Sequence, residues 1–207
     1  MAFIEVTELY RVYRMKDVEV RALRGLTMEI EENAMVSIIG PSGSGKTTLL
    51  NLIGGVDQPT SGTINVGSYN VHSLSSQNLV QYRRKMVGHI FQTINLVPTL
   101  TAAENIALPM IFMGTPKTTR RTRVHELLEI VDLTDRANHT PDQLSGGEQQ
   151  RIAIAAGLAN DPPLILADEP TGDLDSENSK IIVDFLAKIN HELHKTILLV
   201  THNPIVA

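Results

Sequence analysis

Cysteine is absent from the 207 residues, which excludes disulfides, thiolate nucleophiles and Cys-ligated zinc. The same absence fits a reducing compartment. Tryptophan is missing too, and aromatic residues make up only 4% of the chain, so stacking platforms for single-stranded nucleic acid are scarce. Positive charge is outweighed: 18 Lys and Arg against 23 Asp and Glu leave a net charge of −5, the wrong balance for a surface that tracks phosphates. The basic run Arg120, Arg121 and Arg123 reads as a solvated helix face. No segment reaches the ~20 apolar residues of a membrane-spanning helix. The opening MAFIEVTELYRVY lacks the cationic stretch and apolar run of a secretory signal, so none is expected. Internal repeats and low-complexity tracts are also absent.

What remains is 42% hydrophobic, enough for the packed core of one α/β domain with an inserted subdomain. Met35–Gly40, Leu164–Ala167 and Lys195–Thr201 read as buried strands, and Thr47–Ile53 reads as helix. Ile181, Ile182, Phe185, Leu186, Ile189 and Leu193 recur at spacings of three and four, the apolar face of an amphipathic helix. Such alternation predicts βαβ units around a parallel sheet covered on both sides. Val18–Ile30 and Gly62–Val66 belong to a strand-rich first ~75 residues that predict an antiparallel accessory sheet. Residues 93–160 read as mostly helical. Thr101 with Glu104 and Ser145 with Glu148 have capping-box spacing, while Pro109 and Pro116 are expected to interrupt helix.

Gly40-Pro41-Ser42-Gly43-Ser44-Gly45-Lys46-Thr47, with Thr48 behind it, follows a predicted strand and opens a predicted helix. Glycines let the backbone curl so that successive N–H groups point at phosphate, and the helix adds the positive end of its dipole. Lys46 offers a point charge to β- and γ-phosphates, and the Thr47 hydroxyl is a ligand for Mg²⁺. Alone this describes a phosphate-binding loop shared by kinases, GTPases and motor ATPases. Asp168 and Glu169 end a second strand, at the sheet edge where ligands bind. Asp168 is placed to organise Mg²⁺ through water, and Glu169 to polarise or position an attacking water. His202 ends a third strand at the same edge, within reach of a γ-phosphate. His191 and His194 are read as structural histidines on a helix, and no metal site is predicted from them. Leu144-Ser145-Gly146-Gly147-Glu148-Gln149-Gln150-Arg151 reads as a capped helix start whose glycines expose N–H groups, a second anion site. A spare anion site points to a phosphate supplied by a second subunit.

Together these strings resemble the ABC ATPases. The order GPSGSGKT, Phe91-Gln92, LSGGEQQR, LILADEP, Thr171-Gly172-Asp173-Leu174-Asp175 and His202 agrees with that family over essentially the whole chain. The resemblance implies a P-loop core with a mainly parallel sheet, an antiparallel β subdomain at the N-terminus and an inserted helical subdomain. It assigns 1–92 and 161–207 to the core and 93–160 to the helical part. It also implies ATP and Mg²⁺ as ligands and ATP hydrolysis coupled to transport. Glu169, His202, Lys46 and Gln92 are then the catalytic set, and Thr47, Gln92 and Asp168 the Mg²⁺ set. Gln92 also links to the membrane subunit. Ser145, Gly146, Gly147 and Glu148 would meet the nucleotide of an opposite protomer, in an ATP-dependent head-to-tail homodimer. Asp173 and Asp175 would couple the two sites. Tyr13, with Tyr10 as competitor, would lie under adenine. The resemblance implies integral membrane permease subunits on another chain as partners, and no nucleic acid, so this chain is expected peripherally on the cytoplasmic face of the membrane. GPSGSGKTTLLNLIGGVDQPTSG, FQTINLVPTLTAAENIALP and ADEPTGDLDS resemble the lipoprotein-releasing and macrolide-exporting ATPases.

Some positions depart from that pattern. Asn33 replaces a usual Gly, Ala156-Gly157 replaces Arg-Ala with a glycine expected mid-helix, and His89 stands where an apolar or aromatic residue is usual. Relatives continue past Ala207 with further strands and a helix, so either the C-terminal part is truncated or the natural chain is short; in both cases His202 is expected near a fraying end. The alternatives are a soluble ABC ATPase acting on nucleic acid or ribosomes, and a small-molecule kinase on the same loop. The first lacks the long coiled-coil insertion or tandem cassette expected of it, and the second leaves LSGGEQQR unexplained.

Overall fold

In a computed structural model, residues 2–15, 18–172 and 174–203 are described. The chain begins with two long strands, β1 (Ala2–Met15) and β2 (Val18–Glu31), paired as an antiparallel hairpin. Strand β3 (Met35–Ile39) leads into helix α1 (Lys46–Ile53), followed by the short β4 (Ser61–Val66) and β5 (Tyr69–Asn70). Helix α2 (Ser76–Met86) runs directly into β6 (Val87–Ile90). Helices α3 (Ala102–Phe112), α4 (Lys117–Ile130) and α5 (Gly146–Gly157) follow, and β7 (Leu164–Asp168), α6 (Ser176–Leu193) and β8 (Thr196–Thr201) complete the order.

Two sheets result, as the sequence predicts. One is antiparallel with order β2-β1-β4-β5, and the other is parallel with order β3-β8-β7-β6. Strand periodicity explains how the parallel sheet divides the interior. In β7, Leu164 and Leu166 point to one core while Ile165 and Ala167 point to the other; in β8, Leu198 and Val200 oppose Ile197 and Leu199 in the same way. The first core lies against α1 and the antiparallel sheet, with Leu49, Leu50, Leu52 and Ile53 from the helix and Ile4, Val6 and Ile64 from the strands. The second lies under α3, α4, α5 and α6 and includes Ile106, Leu127, Ile152, Ile154 and, from the predicted amphipathic face, Ile182, Leu186 and Ile189. Both faces being covered is why these strands read as continuous apolar runs. Their carboxyl ends therefore emerge together from a dry core, at one edge.

Four expectations are corrected or refined by packing. β3 is only partly buried, with Ile39 52% exposed, because among the described residues it is an edge strand paired with β8 alone. Pro109 sits inside α3 without ending it; the helix is held at its start by the Thr101–Glu104 capping box. Pro116 stands at the N-cap of α4, where its missing N–H costs nothing. Gly157 is the last residue of α5 rather than a mid-helix break, and its carbonyl lies 2.5 Å from where a Cβ on Gly88 would stand. Two glycines thus let α5 and β6 approach backbone to backbone. Asn33 adopts the left-handed backbone expected of it, at φ 61°, donating its N–H to the Thr196 hydroxyl at 2.9 Å.

Candidate functional site

The carboxyl ends of β3, β7 and β8 carry the predicted chemistry. Gly40 follows β3 and donates its N–H to Thr201 O at 3.3 Å, so the phosphate loop starts hydrogen-bonded to the central strand. Pro41, Ser42, Gly43 and Ser44 are exposed, and Ser44 N–H closes a turn on Pro41 O at 3.3 Å. Gly45 forms the N-cap of α1 at φ 95°, with Ala22 O 2.5 Å from where a side chain would begin. A left-handed backbone and a backbone oxygen at that range admit glycine alone. Lys46 opens α1 and folds back into the loop, its ammonium donating to Gly40 O at 2.8 Å and Pro41 O at 3.1 Å. That holds a cation at the mouth of the helix dipole.

Thr47 donates its hydroxyl hydrogen to Asp168 Oδ1 at 3.1 Å, joining the start of α1 to the end of β7 across 121 residues of sequence. Burial raises the Asp168 carboxyl above its ordinary value; the Thr47 bond opposes this, the Glu169 charge adds to it and Lys46 offsets part. Glu169 takes a left-handed backbone, φ 45°, unusual for a residue with a side chain and costing on the order of 1–2 kcal/mol. Its N–H is held by Val200 O at 2.9 Å, and its carboxylate accepts from His202 Nδ1 at 2.9 Å and His202 N at 3.2 Å. Burial pushes the Glu169 carboxyl up, but hydrogen bonds from His202 and Thr201 outweigh it, leaving the group below its usual value. Glu169 is therefore ionised at neutral pH, 3.9 Å from the Lys46 ammonium.

A cavity of about 430 Å³ opens over this edge, lined among others by Tyr13, Ser42, Thr48, Gln92 and Glu169. Tyr13 and Gln92, far from the loop in sequence, are thus brought to it. Tyr10 is not: its hydroxyl packs over Gly25 instead. The donor set fits Mg²⁺, a hard ion that takes hydroxyl and carboxylate oxygen and shares its shell with phosphates. Thr47 and Asp168 supply such oxygens side by side, and among the described residues no cluster of three or more His, Asp or Glu would hold a metal unaided.

None of Ser145, Gly146, Gly147 or Glu148 lines that cavity. They form a separate corner at the start of α5, where Ser145 and Gly146 are exposed, Glu148 is half-buried and Gly147 is buried. Ser145 accepts from Glu148 N–H at 3.3 Å and donates its own N–H to Glu148 Oε2 at 2.8 Å, completing the predicted capping box. The backbone bond from Ser145, aided by Arg136 at 3.1 Å, holds the Glu148 carboxyl down at about 2. Gly147 packs against the Asn178 side chain, which also bonds Asp175, the N-cap of α6. The segment expected to couple two sites therefore touches the corner expected to be a second anion site. Asp173 lies outside the described residues.

His89 marks a departure with a measurable consequence. Its ring stacks on Phe91 at 5.1 Å, its edge abuts Gly54 at the end of α1, and its buried Nε2 has no hydrogen-bond partner among the described residues. Burial, aided by the Arg83 charge, lowers the imidazole to about 4. A folded value below the unfolded 6.5 means that the unfolded chain binds more protons between them, so stability rises with pH across that window. Taking the protein from pH 7 to pH 4 is expected to remove about 3 kcal/mol through this group. Urea midpoints at the two pH values check it: His89→Leu should narrow the difference, and an unchanged difference would remove His89 as its source.

Comparison with known proteins agrees with this geometry. The family described as ABC transporter matches residues 23–172. An uncharacterized ABC transporter ATP-binding protein of Thermotoga maritima is 48% identical over 97% of the chain and 85% of its own length. The macrolide export ATP-binding/permease protein MacB of Hyphomonas neptunium is 44% identical over 99% of the chain but only 32% of its own length. The solved dimeric, post-hydrolysis structure of the ATP-binding cassette MJ0796 bound to ADP and Pi has a TM-score of 0.90 at 44% identity, over 99% of this chain and 90% of that one. A phosphate loop, a paired carboxylate edge and a detached capped helix start, set on this fold and matched over this length, make the chain an ATP-binding member of the ABC transporter family.

Proposed function

We propose that the chain binds MgATP at the Gly40–Thr48 edge and hydrolyses it in a head-to-tail pair, and that the cycle powers export or lipoprotein release through separate membrane subunits. The observation that carries this reading is the separation of the Ser145 corner from the phosphate loop within one chain. Two anion sites on one chain that do not share a cavity need two chains to enclose one triphosphate.

In this reading the Tyr13 ring takes adenine, and the N–H groups of the loop with Lys46 take the β- and γ-phosphates. Thr47, Gln92 and, through water, Asp168 would hold Mg²⁺. The ion, when bound, neutralises charge on the phosphate oxygens. Glu169, ionised and aimed by His202, orients a water and accepts its proton as oxygen adds to the γ-phosphorus. The bond to the β-phosphate oxygen breaks, giving ADP and phosphate. Ser145, Gly146, Gly147 and Glu148 of the facing chain seal the γ-phosphate beforehand, so its loss removes the shared anion and opens the pair.

Among the described residues no helix is long and apolar enough to cross a membrane. Beside Gln92 runs a groove of about 450 Å³ edged by Phe91 and Phe112, which are 41% and 62% exposed. Exposed aromatics on a groove mark a docking surface, and membrane subunits are the occupants proposed here. MacB, whose name joins ATP-binding and permease functions, supports the assignment to exporter-type partners.

Phosphate release from ATP tests the reading. Turnover per chain should rise with chain concentration, because each site needs two chains. Turnover independent of concentration, or none, refutes the paired site.

A further inference from the structure

We propose that Asp57 and Arg11 are positioning residues for the nucleotide base, acting through Tyr13. Tyr13 lies on β1, and Asp57 in the turn that follows α1, 44 residues away. The Tyr13 hydroxyl donates to Asp57 Oδ2 at 2.7 Å. Arg11 grips the same carboxylate with two bonds, Nε to Oδ2 at 2.9 Å and Nη2 to Oδ1 at 2.7 Å. Its guanidinium carbon also lies 4.4 Å from the centre of the Tyr13 ring. The fourth bond to the carboxylate comes from Gln58 N–H at 2.7 Å.

Each contact restricts the ring in a different way. The hydroxyl bond fixes the far end of the side chain, and the cation covers one face. A base can then stack only on the other face, and Tyr13 lines the phosphate-loop cavity. The arrangement is charge-assisted and bidentate, the geometry that holds a planar group with least freedom. If it served only to tie β1 to the turn, the Arg11–Asp57 pair would suffice; the hydroxyl bond and the cation over the ring add orientation of the aromatic plane. An ordered ring loses less freedom when a base stacks on it, which is how preorganisation raises affinity.

This inference rests on the proposed nucleotide site, and its test separates the two. Calorimetry compares ADP, which carries the base, with inorganic pyrophosphate, which does not. Asp57→Ala is expected to weaken ADP about tenfold and leave pyrophosphate within about twofold. Tyr13→Phe, which removes only the hydroxyl bond, should weaken ADP in the same selective way. In a Tyr13→Ala background, Asp57→Ala should then change nothing further, since residues acting through one group are not additive. Asp57→Asn keeps an acceptor and should fall between wild type and Asp57→Ala; with Tyr13→Phe it carries the test if the Ala variant does not fold. Equal losses for ADP and pyrophosphate would make Asp57 a scaffold of the loop and overturn the proposal. So would an unchanged ADP affinity, or an independent tenfold loss without Tyr13. Failure of the wild type to bind either probe would instead strike the nucleotide site itself.

Discussion

Turnover of ATP is expected to fall about 10²–10⁴-fold in Glu169→Gln, while pairs with ATP bound accumulate. The substitution is nearly isosteric. Its amide oxygen can still accept from His202 Nδ1 and N–H, the two bonds that now hold the carboxylate, so the local fold is kept. What is lost is the charge. An ionised carboxylate attracts and accepts the proton of an attacking water, and an amide does not. Glu169 lies 3.9 Å from Lys46 and lines the cavity proposed to take the phosphates. Removing a negative charge there relieves repulsion with phosphate, so ATP binding should hold or strengthen. Affinity kept and chemistry lost is the pattern of an interaction made in the transition state. Steady-state phosphate release reads the first effect, and gel filtration with ATP reads the second. Turnover within about threefold of wild type would take Glu169 out of the chemical step and leave its left-handed backbone without a catalytic reason.

The same residue shows what a sequence can reveal. Leu164–Ala167 and Leu198–Val200 are visible because a strand buried on both faces has to be apolar throughout, and the acids that follow are visible by contrast. Helix α6 is visible through the period of Ile182, Leu186 and Ile189. The capping boxes at Thr101 and Ser145 are local chemistry and appear at their expected spacing. Helix α2 and strand β6 are not visible: Met86 ends one and Val87 begins the other, so no turn residue marks the change, and VGHI is too short for a period. That α5 ends at Gly157 is equally hidden, because what matters there is the approach of a second backbone from β6.

At the candidate site, local motifs reveal the donors but not their pairing. Nothing in the sequence says that Lys46 turns back onto Gly40 O and Pro41 O. The resemblance prefers Tyr13 to Tyr10, but no local pattern says that Tyr13 faces the loop, since that follows from how β1 runs past the cavity. Asp57 carries no signal at all. It sits between Val56 and Gln58 in an ordinary turn, and its partners Arg11 and Tyr13 are on another element. Contacts between distant segments are set by the packing of the two sheets, which one chain's local pattern does not encode.

Ser145→Asp is expected to abolish ATP-dependent pairing while leaving each chain's own nucleotide affinity within about twofold. Asp is as good an N-cap as Ser. It can accept from Glu148 N–H, as the Ser145 hydroxyl does at 3.3 Å, so α5 should keep its start. Substitution by Ala would confuse loss of the cap, worth about 1 kcal/mol, with loss of the anion site. The Asp variant separates them by keeping the cap and reversing the electrostatics. Where the exposed hydroxyl and N–H groups would meet a γ-phosphate from the facing chain, the variant presents a carboxylate. Like charges brought together across an interface cost several kcal/mol, so the association constant should drop more than about 100-fold. Ser145 does not line the cavity of its own chain, so that cavity should bind ADP as before. Sedimentation in a Glu169→Gln background, with ATP present, reads the pairing without interference from hydrolysis. Pairing retained at wild-type strength would show that the capped start of α5 does not face a phosphate. Loss of ADP affinity in the single chain would place Ser145 in cis and remove the need for a second copy.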